Sequence, residues 1–197
     1  MGVLTVIVQS ALRRLTYGRL RRVAVGVAVT LSFCLPISGH AETLSGEYSL
    51  KAAFIYNFAK YVEWPDSVFK GKREFCIGTL GRSQIDRELV DLAGKSVQGR
   101  NIVFRQFNSP EEASQCQVLF ISRSELARLE SILDYLKDVP VLTVADSDDF
   151  CRNGGMLSLV VENGKIAFDV NIRETQHARL KPNPQLLRLT RRIYGRP

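Results

Sequence analysis

Three short runs dominate the reading of this chain: "FCIGTL" from Phe75, "QVLFIS" from Gln117 and "VPVLTVAD" from Val139. They are apolar at consecutive positions, so neither side of such a strand is suited to water, and each predicts a buried strand. Amphipathic stretches separate them. Ser83 to Leu92 sets Ile85, Leu89 and Leu92 on one helical face behind a Ser83 cap, and Ser124 to Leu136 does the same with Leu126, Leu129, Ile132, Leu133 and Leu136. This alternation predicts one α/β domain, with a mixed sheet whose parallel strands are flanked by helices. Two hairpins should decorate it. One turns at Gln98-Gly99-Arg100 between Ser96-Val97 and Ile102 to Phe107. The other, in the C-terminal half, turns at Asn163-Gly164, the dipeptide that a type I′ turn favours. Arg173 to Ile193 reads as helical pieces divided by "KPNP".

The N-terminus decides which chemistry the domain can meet. Five arginines and no acid precede an apolar run from Val23 to Leu35, which Pro36, Ser38, Gly39 and Ala41 close. That order predicts a cleaved secretory signal over residues 1–41 and a domain over 42–197, placing the protein outside the cytosol. The competing membrane anchor is disfavoured, because the run falls short of the roughly 20 residues a spanning helix needs. Lipidation at Cys34 is disfavoured by the bulky Phe33 before it. The leader removes five of the 27 basic residues and none of the 20 acidic ones. The net charge falls from +7 to +2, which argues against nucleic acid as a partner.

Export also makes the cysteines informative, since disulfides persist in oxidising compartments. Cys76 and Cys116 each lie beside one of the buried runs, so parallel neighbouring strands would bring them together at one end of the sheet. The expected Cys76 to Cys116 bridge would contribute on the order of 4 kcal/mol by restricting the unfolded chain. Cys151 would remain a free thiol, either inert or a redox handle.

The segment "YSLKAAFIYNFAKYVEWP" is the most aromatic part of the chain. On a helix, Tyr48, Ala52, Ile55, Ala59 and Val62 form one stripe, and Phe54, Phe58 and Tyr61 an adjoining one. Lys51, Asn57, Lys60 and Glu63 mark the polar side, and their spacing excludes a membrane span. The wide apolar face predicts burial under a sheet, with a homodimer contact as the competing use.

The blocks "KAAFIYNFAKYVEWP", "FCIGTLG", "GKSVQGRNIVFRQF", "CQVLFIS", "VLTVADSDDFCRNGGMLSLVVENGKIAFDVN" and "PQLLRL" resemble, in order and spacing, the YfiR family of exported bacterial proteins. The resemblance covers nearly all of the expected mature chain. It implies a periplasmic, non-catalytic regulator without a cofactor. Its partner would be an inner-membrane signalling protein, a diguanylate cyclase, whose restraint lowers cyclic-di-GMP and biofilm formation. An outer-membrane-associated protein would sequester the regulator. The family's founding member is similar in the Cys76 and Cys116 pair, but also joins its counterpart of Cys151 to a cysteine seven residues on. Ser158 stands there in this chain, so that second bridge cannot form.

Enzymatic readings rest on little. His177 is the one histidine of the expected mature chain, and a hydrolase built from Cys151 and His177 has no local motif to support it. "GTLGRS" has too few glycines for a nucleotide loop, although a helix start there would keep a small-ligand sensor as an alternative. Asp146, Asp148 and Asp149 lack calcium-loop spacing and read as a solvated turn, and no other metal site is expected. Arg188, Arg191 and Arg192 fall on one side of a helix with Leu186, Leu189 and Ile193 on the other, where they complement the helix dipole or meet anionic lipid. For partner binding the best surface is "NIRETQHARLKPNPQLLRL", with Ile172, Leu180, Pro184 and Leu187 as its apolar contacts among arginines, Leu180 and Leu187 being equally suited to the core.

Overall fold

The computed structural model describes residues 39–195, so all but the last three residues of the expected leader fall outside it. The aromatic segment belongs to helix α1 (Gly39–Tyr61). No helix among the described residues is long and apolar enough to cross a membrane. Instead α1 buries Ala52, Ile55, Phe58 and Ala59 against the sheet, none more than 3% exposed. Phe58 meets Phe168 edge-on at 5.1 Å between ring centroids, with Phe54 flanking both. Such aromatic pairs add about 0.5–1.5 kcal/mol beyond the area they bury. Strand β1 (Val62–Glu63) follows, and Trp64 then turns inward to meet the Phe75 ring edge-on at 5.2 Å.

Beyond a 3-10 turn at Asp66–Phe69, the order is β2 (Glu74–Leu80), α2 (Asp86–Val90), β3 (Ser96–Val97), β4 (Arg100–Phe107), α3 (Pro110–Ala113) and β5 (Val118–Ile121). Another 3-10 turn, Arg123–Arg128, leads to α4 (Leu129–Leu136), β6 (Leu142–Ala145), β7 (Leu157–Glu162) and β8 (Lys165–Asn171). The chain closes with α5 (Ile172–His177), β9 (Lys181–Pro182), α6 (Pro184–Arg188) and β10 (Arg192–Tyr194). Eight strands make one mixed sheet in the order β10-β8-β7-β6-β5-β2-β4-β3, parallel except for the hairpins β3-β4 and β7-β8. Strands β1 and β9 pair separately and antiparallel. Asn163 (φ 51°) and Gly164 (φ 72°) turn one hairpin, Gln98 (φ 50°) and Gly99 (φ 74°) the other, as the type I′ dipeptides require.

Each sheet face carries its own core, which is why the central runs show no polar alternation. Phe75, Ile77, Val118, Phe120, Leu142 and Val144 pack on the α1 side. On the other side Leu80, Leu119, Ile121 and Ala145 pack with Leu129, Ile132 and Leu136 of α4. Gly78 keeps the central strand clear for its neighbour: a Cβ there would come within 2.5 Å of the Phe107 ring.

Several local expectations need correction. The helix over Ser124 to Leu136 forms as a 3-10 turn and then α4, because Arg128 (φ −117°, ψ 22°) interrupts the helical run. Ser83 does not cap α2, which starts at Asp86. Its hydroxyl accepts from Ile85 N at 3.4 Å and its own N–H donates to the Asp86 carboxylate at 3.1 Å. Lys51, placed on the polar side of α1, is 2% exposed and donates to Glu47 at 2.6 Å and Asp146 at 3.1 Å. Asp146 is correspondingly not solvated but buried, with Arg123 Nε reaching it at 3.3 Å from the surface. Burial alone would push the Lys51 ammonium pKa down, but the Glu47 hydrogen bond and the Asp146 charge outweigh it and the net direction is up. Asp148 and Asp149 are exposed as expected.

Arg188, Arg191 and Arg192 do not share a helix. α6 ends at Arg188, Arg192 opens β10, and Arg191 between them donates Nε and Nη2 to the two oxygens of Asp169 at 2.8 and 2.7 Å. Asp169 lies on β8 with none of its surface exposed, so it needs a counter-charge, and only a non-helical Arg191 reaches it.

Candidate partner-binding face

The segment from α5 to α6 is fixed to the domain at both ends and leaves its outer side open. Asn171 begins it: its side-chain oxygen accepts from Glu174 N at 3.2 Å, capping α5, while its amide donates to the Cys151 carbonyl at 2.9 Å. α5 stops where Arg179 takes a left-handed backbone (φ 58°). Lys181 and Pro182 then pair with Glu63 and Val62, and Asn183 N donates to the Tyr61 carbonyl at 2.8 Å. Asn183 also caps α6, accepting from Gln185 N at 2.8 Å ahead of Pro184 at the first helical position.

Of the four expected contact residues, the structure leaves three accessible. Pro184 is exposed, and Ile172 and Leu187 are half-buried against the core. Leu180 is 1% exposed and belongs to the core, drawn inward because its N–H donates to the Thr175 carbonyl beneath α5. It is a support for the face and not part of it. Two apolar residues were not among the expected contacts: Leu189, 75% exposed, and Tyr61, 38% exposed at the end of α1. The Leu189 position follows from the early end of α6, which takes away the helical face it would have shared with Leu186. Arg173, Arg179 and Arg188 are exposed around this segment.

The cysteines divide as the sequence suggested. Cys76 and Cys116 are bridged, with 4.8 Å between their Cα atoms, where β2 and β5 lie in parallel. This is also where the sheet reverses direction: the chain moves from β2 out to β4 and then crosses back to β5. In open α/β sheets ligands favour the carboxyl ends of strands at such a reversal. Here the protein fills that place itself. Ser122 Oγ donates to the Leu80 carbonyl at 2.6 Å, Gly81 N donates to the Phe107 carbonyl, and a Cβ on Gly81 would strike the Ser122, Ser124 and Glu125 side chains. An anion at the "GTLGRS" turn would meet the Asp86 and Glu125 carboxylates.

Cys151 is free and wholly buried. Burial pushes its thiol up to about 12, and Sγ donates to the carbonyls of Asp169 at 3.4 Å and Met156 at 3.5 Å. Its N–H donates to Ser158 Oγ at 3.0 Å, so the two positions of the missing second bridge do adjoin. A thiol in this setting is a poor nucleophile. His177 is exposed and faces Glu174 at 3.3 Å, so the hydrogen bonds of these two residues do not join them as nucleophile and base.

A family model described as YfiR/HmsC-like matches residues 48–191. Among solved structures, the ABC domain in complex with L-Trp from Streptococcus pneumonia is 9% identical with a TM-score of 0.44, covering 60% of this chain and 55% of that one. A conserved domain protein from Vibrio cholerae O1 biovar eltor str. N16961 is 10% identical with a TM-score of 0.49, covering 74% and 60%. The chain therefore spans less than two thirds of either, and at these scores neither bears on function.

Proposed function

The chain belongs to the YfiR/HmsC-like family, and from that premise we propose that it is a periplasmic regulator acting by protein contact. It binds an inner-membrane diguanylate cyclase and holds its output down, lowering cyclic-di-GMP, and an outer-membrane-associated partner relieves the restraint by sequestering it. The family supports the regulatory class and the compartment. The observation that carries contact as the mode of action is the α5 to α6 face. Leu189 stands 75% exposed beside Leu187 and Pro184 in sequence, with arginines around it. An apolar centre with a charged rim is the usual anatomy of a protein interface.

Deleting the gene should raise cellular cyclic-di-GMP, and Leu189→Asp should reproduce that rise. The variant should also fail to capture the cyclase in pull-downs while keeping the wild-type melting curve. Unchanged cyclic-di-GMP in the deletion strain would remove the proposal. A hydrolase or small-ligand role would instead make Cys151→Ala or His177→Ala matter without loss of fold.

A further inference from the structure

The expected mature chain is nearly neutral, with 22 basic against 20 acidic residues, yet its charge is not evenly spread. At the amino ends of β2 and β4, Lys72 and Arg73 form a ridge between two hollows. One, of about 420 Å³, has the Cys76–Cys116 bridge and Gln117 in its lining, with Arg105 and Glu112 also on its walls. The other lies over the Gln98 to Asn101 turn, with Arg100 on its wall. Lys70 stands exposed just before the ridge, and Lys60 and Lys95 lie over the Tyr56 ring, whose hydroxyl donates to the Ser96 carbonyl beside the same hairpin.

The acids of this region are few or already engaged. Glu74 pairs with Arg105 at 3.2 Å, and Glu112 accepts from Asn108 N at 3.1 Å; Glu63 and Asp66 are exposed on the neighbouring segment. Among the described residues Lys70, Lys72, Arg73 and Arg100 make no ion pair. Much of the platform is also rigid. The Arg100 guanidinium lies 3.9 Å from the Phe69 ring centroid and donates to the Gln98 carbonyl at 2.9 Å. Gln98 is pinned by its side-chain amide, which donates to the carbonyls of Ala59 and Val62 at 3.1 and 2.9 Å.

We propose that this basic pole docks on an anionic phospholipid surface, with the headgroup phosphates received by Lys72, Arg73 and Arg100. A bilayer suits it better than a single small anion, because the bases form a ridge with a hollow on either side and extend along the hairpin, with no enclosed pocket. Clustered lysines and arginines beside anionic lipid gain their attraction additively, and salt weakens it. The inference goes beyond the regulatory reading and needs no protein partner for its test.

The protein as isolated from cells is floated with phosphatidylglycerol-containing vesicles and with pure phosphatidylcholine vesicles. Binding should require phosphatidylglycerol, and should disappear near 1 M salt, where screening shrinks to about 3 Å. The double variant K72E/R73E should lose about tenfold or more in affinity at low salt, whereas R87E/K165E, at exposed bases outside the pole, should bind as wild type. Matching melting curves, with K72Q/R73Q as a milder pair, establish that the fold is intact. Equal binding to both vesicle types, or undiminished binding by the ridge variants, would overturn the proposal. So would capture by polyglutamate resin in the absence of vesicle binding, which would assign the pole to an acidic polypeptide.

Discussion

The two halves of the sheet are fastened by different means. Around β2 and β5 the fastening is covalent, the Cys76–Cys116 bridge closing a separation of 40 residues. Around β7, β8 and β10 it is polar: Arg191 grips Asp169, Asn171 ties β8 to the Cys151 loop, and Cys151 and Ser158 are joined by a hydrogen bond and no disulfide. A covalent link acts mostly by limiting the unfolded chain, whereas a buried ion pair acts only while its geometry holds. The polar half also carries the open α5 to α6 face. The part of the molecule proposed to meet a partner is thus the part whose anchoring responds to local change.

Four measurements test this contrast. Arg191→Leu leaves the Asp169 charge buried and alone, so unfolding in denaturant should show a loss of about 3–5 kcal/mol. Limited proteolysis should then cut first in the C-terminal segment; an unchanged midpoint would mean that the pair is not the fastening. The double variant C76A/C116A should lose about 4 kcal/mol. In the wild type, reduction before alkylation should add two labels to the intact mass, and finding those thiols free beforehand would refute the bridge. Ser158→Cys gives the polar half its own staple across seven residues, worth between about 2 and 3 kcal/mol if it closes on Cys151. A melting temperature that does not rise under oxidising conditions would show that the two side chains cannot adopt bridge geometry.

The fourth effect is alkaline, and it is the smallest when read over a single pH unit. The Cys151 pKa is raised from 9.0 to about 12 in the folded protein, so above pH 9 the unfolded chain releases this proton while the folded one keeps it. The associated stability is fully present below pH 9 and is lost as pH rises toward 12, at up to about 1.4 kcal/mol per pH unit. Denaturation midpoints of wild type and Cys151→Ala should converge across that window. Parallel curves would mean that the thiol ionises equally in both states.

What the sequence revealed and what it hid follow one physical division. The central strands, both hairpins and the Cys76–Cys116 pairing depend on neighbours in sequence or on runs wholly withdrawn from water, and both leave local traces, whereas the short strands β1, β9 and β10 fall in stretches that read as helical. Lys51, Asp146 and Arg191 depend on partners 95 and 22 residues away, and a charge that will be buried looks the same on paper as one that will be solvated. The same blindness left Leu180 between surface and core and misplaced Leu189. Their spacing suits a helix face, but the left-handed Arg179 and the early end of α6 turn one inward and leave the other out. Family membership could be read from ordered blocks because those blocks are the core strands and the turns between them.

The Gln98 side chain, which spans from the first hairpin to the carbonyls of Ala59 and Val62, has a further consequence. A helix end ordinarily frays by itself, but here the last turn of α1 cannot open without giving up the hairpin that closes it. Amide hydrogen exchange in these two stretches, distant in the chain, would then be governed by one shared opening event, and the corner of the domain behaves as a single cooperative unit.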